Sequence, residues 1–131
     1  MAEGFFNALT RDAEIVAESA GVGALDGAPP SLLAVLEMRR RGVDISRHRA
    51  RNIASVDLSD YQTAVALDRK VAALFGTAAP EFGDLRVWEI PDPYGGPAGE
   101  YRLAAGRIRM QVEEFIRNMG KPTENMASFL S

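Results

Sequence analysis

Two prolines enclose a single carboxylate in Glu89-Ile90-Pro91-Asp92-Pro93-Tyr94-Gly95-Gly96. Each ring fixes its φ near about −65°, and Pro93 also keeps Asp92 out of the helical region. A carboxylate aimed by its backbone suits proton transfer in a catalytic site. The same residues also suit a rigid strand-to-helix turn whose Asp only caps the next element. Other chemistry is sparse. The 131 residues hold no cysteine, which leaves them no disulfide, thiolate metal site or cysteine nucleophile. His48 is the one histidine, and a single histidine is more often structural than a base or ligand. No Cys, His, Asp or Glu set has metal spacing, so neither metal nor cofactor is expected. Gly21, Gly23 and Gly27 approach a dinucleotide fingerprint, but the spacing is one residue too long and no helix opens there.

The elements that must carry these residues follow from apolar periodicity. Ala2, Phe5, Phe6 and Leu9 mark one face of a helix that starts at once, with no capping residue before it. That abrupt start leads us to expect that something upstream is missing. Glu14 to Ala20 reads as a strand, closed by Gly21-Val22-Gly23. A second helix runs from Pro30 to about Arg41, with Leu32, Leu33, Val35, Leu36 and Met38 as its buried side and Gly42 as its stop. Thr63 to Leu67 is a short apolar strand, and Asp68 is placed to cap a helix over Arg69 to Phe75. Leu85 to Ile90 makes a third strand. Tyr101, Ala104, Ala105, Ile108, Val112, Phe115 and Met119 then form a long helical stripe, stopped by Gly120 and Pro122.

Strands alternating with helices predict an α/β fold: a small three-layer domain with a parallel sheet and helices on both faces. Ligands of such sheets sit beyond the carboxyl ends of the strands, where Ser19, Asp68 and Asp92 are expected to converge. The domain is expected to span 1–120, with 121–131 as a loosely attached C-terminal tail whose Met126, Phe129 and Leu130 dock on a neighbour or on the domain itself.

Composition narrows the partners. At 47% apolar and 25% charged residues the chain reads as one ordinary globular domain. A net charge of −3 argues against nucleic acid or an acidic membrane. Six arginines lie between Arg39 and Arg51, either as a rim facing an anion or as a solvated face, and the solvated face is the commoner outcome. No apolar run reaches the roughly 18 residues of a membrane span, and the first residues lack a signal-peptide pattern, so the expected setting is the cytoplasm.

Several segments together resemble the low-molecular-weight protein tyrosine phosphatases, whose fold is shared by arsenate reductases and bacterial arginine phosphatases. Met1-Ala-Glu-Gly-Phe-Phe resembles the family's first helix, and Glu18-Ser19-Ala20-Gly21 its second strand and turn. Gly42-Val43-Asp44-Ile45-Ser46-Arg47-His48-Arg49-Ala50-Arg51 resembles its G-I-x-x-S-x-H-x-A-R segment. Ala66-Leu67-Asp68 stands where the family has Ala/Cys-Met-Asp, and Ile90-Pro91-Asp92-Pro93-Tyr94 matches its acid loop.

The resemblance implies roles. Asp92 is the general acid, Tyr94 the aromatic wall beside the substrate, and Ser19 and His48 the residues that hydrogen-bond to the phosphate loop and hold its shape. The family's central first strand and its Cys-x5-Arg loop have no counterpart in these residues. The expectation is therefore a truncated, catalytically inactive relative. The alternatives are an active phosphotyrosine or phosphoarginine phosphatase whose N-terminal segment is missing, and a module that binds a phosphoprotein partner. A sheet without its central strand leaves two rows of backbone groups unpaired, at roughly 1–3 kcal/mol for each buried orphan. We therefore expect either a rearranged sheet or a homo-oligomer formed through the opening.

Overall fold

The computed structural model describes residues 1–11, 16–57, 61–74, 85–118 and 126–131. Helix α1, Ala2–Leu9, begins with Met1 as a cap that makes no side-chain bond. Phe5 and Phe6 are buried, whereas Leu9, expected on the same face, is exposed. The segment 43–45 runs so close to this helix that a Cβ on Gly4 would lie 2.8 Å from Ile45. Strand β1 is Val16–Ala20, and the two residues that the sequence adds before Val16 lie outside the described residues.

Helix α2 spans Leu32–Arg40. It starts after Pro30 because Ser31 is the N-cap, its Oγ accepting the Ala34 N–H at 3.3 Å. Gly42 follows the helix at φ +84, the left-handed conformation that turns the chain away. The helix is rotated relative to the sequence expectation. Met38 is buried, while Leu32 and Leu36 face outward. Near its end Glu37 accepts hydrogen bonds from Arg40 (2.7 Å) and Arg41 (2.9 Å), which hold its carboxyl down to about 2.

Strand β2, Thr63–Ala66, is followed by helix α3, Arg69–Leu74. Asp68 caps α3 as expected, accepting the Val71 N–H at 2.8 Å. Strand β3 is Leu85–Val87, shorter than its apolar run. Main-chain bonding nevertheless continues, with Trp88 N–H to Ala66 O at 2.7 Å and Ile90 N–H to Leu67 O at 3.1 Å. It ends at Pro91, which has no N–H to donate. Helix α4, Ala98–Asn118, buries Tyr101, Ala104, Ala105, Ile108, Val112 and Phe115, six of the seven residues in the expected stripe. The seventh, Met119, lies outside the described residues.

The sheet corrects the reading of the C-terminus. Met126–Leu130 is strand β4, and the sheet order is β1-β4-β2-β3 with every pair parallel. A segment read as a loose tail thus forms an interior strand, hydrogen-bonded on both sides. Phe129 opposes Ser19 of β1 and Val65 of β2, and Leu130 opposes Ala20 and Ala66. Within the chain, β4 fills the opening expected between β1 and β2. A local reading could not find it, because β4 gains its energy only from neighbours far away in sequence.

Cores lie on both faces. On one, Phe6, Phe115, Phe129 and Trp88 pack with Val65, Met38, Ile108 and Val112. On the other, Leu130, Ala20, Ala64 and Ala66 meet Val71 of α3, with Ile53 of a short 3-10 turn alongside. No helix among the described residues is long and apolar enough to cross a membrane.

Candidate active site

Strand ends and loops bring the sequence-selected residues to one place. Ser19, His48, Asp92 and Tyr94 all line a cavity of about 640 Å3, together with Met1, Glu3, Tyr101 and Ser131. It lies beyond the carboxyl ends of the strands, as expected for a parallel sheet. Asp68 does not join them. It lines a separate surface hollow with Arg69 and Lys70, on which Asp92 also borders.

The acid loop is built locally. Asp92 accepts the Tyr94 N–H at 3.0 Å, an Asx-type turn that adds to the restraint of the two prolines. Gly96 N–H bonds to Pro93 O at 2.9 Å, and Gly95 at φ +84 completes the turn into α4. The carboxylate is solvent-exposed, and the Tyr94 side chain is 79% exposed at the mouth. Deeper in the wall, Ser31 and Tyr101 hydrogen-bond at 3.2 Å and tie the α2 N-terminus to α4.

The opposite wall contains a carboxylate that sequence reasoning missed. Ser19 Oγ donates to Glu3 Oε1 at 3.0 Å, and His48 Nδ1 lies 3.1 Å from Glu3 Oε2. Glu3 therefore bridges the two residues expected to hold a phosphate loop. Burial works to raise the Glu3 carboxyl. The hydrogen bond and charge of His48, together with the Ser19 hydroxyl, outweigh it and leave the group below the usual carboxylate range. The available signal was slight: Glu3 is the acidic residue in the first turn of α1.

His48 is presented by a turn in which Asp44 Oδ1 accepts the Ser46 N–H at 2.8 Å and His48 N–H bonds to Ile45 O at 3.0 Å. Further along the segment, Arg51 donates to Glu18 at 2.8 Å and reaches Ser19 O at 3.4 Å, fastening the loop to the end of β1. Tyr61 donates to the same Glu18 oxygen. Its phenol is pushed up by burial and then by that bond.

The arginine cluster is not a rim of this cavity. Arg40 and Arg41 pair with Glu37, Arg51 pairs with Glu18, and Arg49 donates to the carbonyls of Ser46 and His48. Among the described residues, no arginine or lysine lines the cavity that Asp92 shares with Ser19 and His48. No group of three His, Cys, Asp or Glu among them could hold a metal ion.

A parallel α/β sheet with a proline-held aspartate and a Ser–Glu–His set around one cavity defines a protein with its site at the strand ends. Comparison with known proteins makes the class specific. The family model for low molecular weight phosphotyrosine protein phosphatase matches residues 1–125, and the chain belongs to this family. A probable low molecular weight protein-tyrosine-phosphatase, EpsP, of Ralstonia nicotianae is 28% identical over 105 residues, covering 75% of this chain and 72% of that protein. The crystal structure of a low molecular weight protein tyrosine phosphatase from T. tengcongensis superposes with a TM-score of 0.78 at 28% identity, covering 90% of this chain and 88% of the other. The YwlE arginine phosphatase of Geobacillus stearothermophilus shares the fold, with a TM-score of 0.80 at 19% identity over 90% of this chain and 82% of its own. Strand β4 begins immediately after the residues matched by the family model.

Proposed function

We propose that these 131 residues keep the acid half of a phosphatase site and do not themselves turn over phosphomonoesters. One observation carries this reading. The cavity that Asp92 shares with Ser19 and His48 offers an incoming phosphate no thiol and, among the described residues, no arginine or lysine side chain. Phosphate ester cleavage in this family, as the resemblance implies, begins with a cysteine thiolate attacking phosphorus. Asp92 then gives its proton to the departing oxygen and later takes one from the water that releases phosphate. An acid without a nucleophile completes neither half of that cycle.

A second reading is favoured by the state of the acid loop. Asp92, Tyr94, Ser19 and His48 surround one cavity in an arrangement ready to serve a nucleophile. A Cys-x5-Arg segment preceding Met1 would make the whole protein an active phosphatase, with phosphotyrosine or phosphoarginine as substrate. Binding of a phosphoprotein by the arginines around His48 has less support, since most of those guanidiniums already have partners.

Hydrolysis of para-nitrophenyl phosphate tests the proposal. The chain should release no more nitrophenol than its Asp92→Ala variant. Turnover that depends on Asp92 would overturn it.

A further inference from the structure

Helix α4 packs its buried stripe into the core, yet on its outer side Leu103 and Met110 stand 58% and 71% exposed. We propose that this outer face joins two copies of the chain, with their α4 helices antiparallel and Met110 of each over Gly106 of the other.

The face is indented where a second helix needs room. Gly99, Arg102, Leu103, Gly106, Arg107 and Met110 line an apolar hollow of about 400 Å3, built by α4 alone. Glycine weakens a helix relative to alanine, so two of them on one face call for a reason. The packing of the chain itself supplies none. A Cβ at Gly99 would meet nothing within 4 Å, and one at Gly106 would make an ordinary 3.7 Å contact with Arg41. Neither glycine has a positive φ. A close approach from outside accounts for both, and the exposed Leu103 and Met110 give it apolar surface to bury.

Charge selects a second copy, running in reverse. Along the outer side the first half of α4 carries Arg102 and Arg107, and the second half carries Glu113 and Glu114. A parallel copy would set arginine beside arginine and glutamate beside glutamate, whereas an antiparallel copy sets each half on its opposite. Arg102 stands four residues before Gly106, and Glu113 three residues after Met110. With Met110 over Gly106 the two therefore come to one level, and two-fold symmetry repeats the pair. Glu113 Oε1 holds Arg109 of its own helix at 2.9 Å, which leaves Oε2 for the incoming Arg102. One helix face is smaller than the roughly 1,200–2,000 Å2 of a stable interface, so the dimer is weak and builds up with concentration. The inference is independent of whether the chain turns over phosphate esters.

Sedimentation equilibrium of the unaltered chain from about 1 μM to about 1 mM tests the proposal. A monomer–dimer equilibrium is expected. Arg102→Glu, which sets a carboxylate against Glu113, should weaken the dimer about tenfold or more, and adding Glu113→Arg should restore it. Both positions are exposed, so far-UV circular dichroism should not change in either variant. A monomer at every concentration overturns the proposal and leaves the face to a different partner. A dimer that Arg102→Glu leaves intact, or that the paired exchange fails to restore, overturns it as well.

Discussion

Phe129 of β4 and Trp88 just beyond β3 sit with ring centroids 5.5 Å apart, although β2 lies between their strands. The rings meet beneath α4, where Phe115 also contacts Trp88 at 6.2 Å. The last strand is thus tied to the loop that carries Asp92, four residues after Trp88. Phe129→Ala should cost about 3–5 kcal/mol, the usual range for emptying a buried aromatic site. Chemical denaturation followed through the fluorescence of Trp88, the sole tryptophan, measures it.

Ser128 should behave in the opposite way. Its hydroxyl is buried and unpartnered, so Ser128→Ala removes a desolvated polar group without breaking a bond. A gain of about 1 kcal/mol is expected. A shift of the thermal midpoint to higher temperature would register it.

Gly4 tests the packing of α1. Alanine there would normally favour a helix by about 1 kcal/mol. Its Cβ would, however, lie 2.8 Å from Ile45 and 3.3 Å from both Met38 and Val43. Overpacking should win, for a net loss of about 1–3 kcal/mol in urea denaturation.

Acid should weaken the fold through Glu37. Its carboxyl is held at about 2 by the Arg40 hydrogen bond first, with Arg41 adding to it, against an ordinary value of 4.5. The folded-state value is the lower one, so the stabilisation is complete above about pH 4.5 and is lost as pH falls toward about 2. Both partners are arginines on one helix, and about 1 kcal/mol is the appropriate scale. Glu37→Gln should flatten that part of the stability profile, as denaturation midpoints between neutral and acid pH would reveal.

The acid loop was legible in the sequence because its restraint is local. Pro91, Asp92 and Pro93 fix their own geometry, and the apolar run before them places the loop at a strand end. Asp68 and the α4 stripe were legible for the same reason, one as a cap and the other as a 3.6-residue period. Glu3 was not, because the Ser19 and His48 side chains that define its role come from two other segments. Leu32 and Leu36 misled because apolar residues surround α2, and the side that packs is chosen by α4 and by α1 at Gly4. Met126–Leu130 was the largest miss. Five residues beyond Gly120 and Pro122 carry no pattern of their own, and only the place between β1 and β2 turns them into a strand.

That order of elements has a consequence for folding speed. Both pairings of β4 join residues far apart in the chain, since Phe129 opposes Ser19 on one side and Val65 on the other. Closing such long loops costs entropy before the new contacts return anything, so the centre of the sheet is set to form slowly and after the local helices. Until it forms, Phe6, Trp88 and Phe115 lack the ring that completes their cluster.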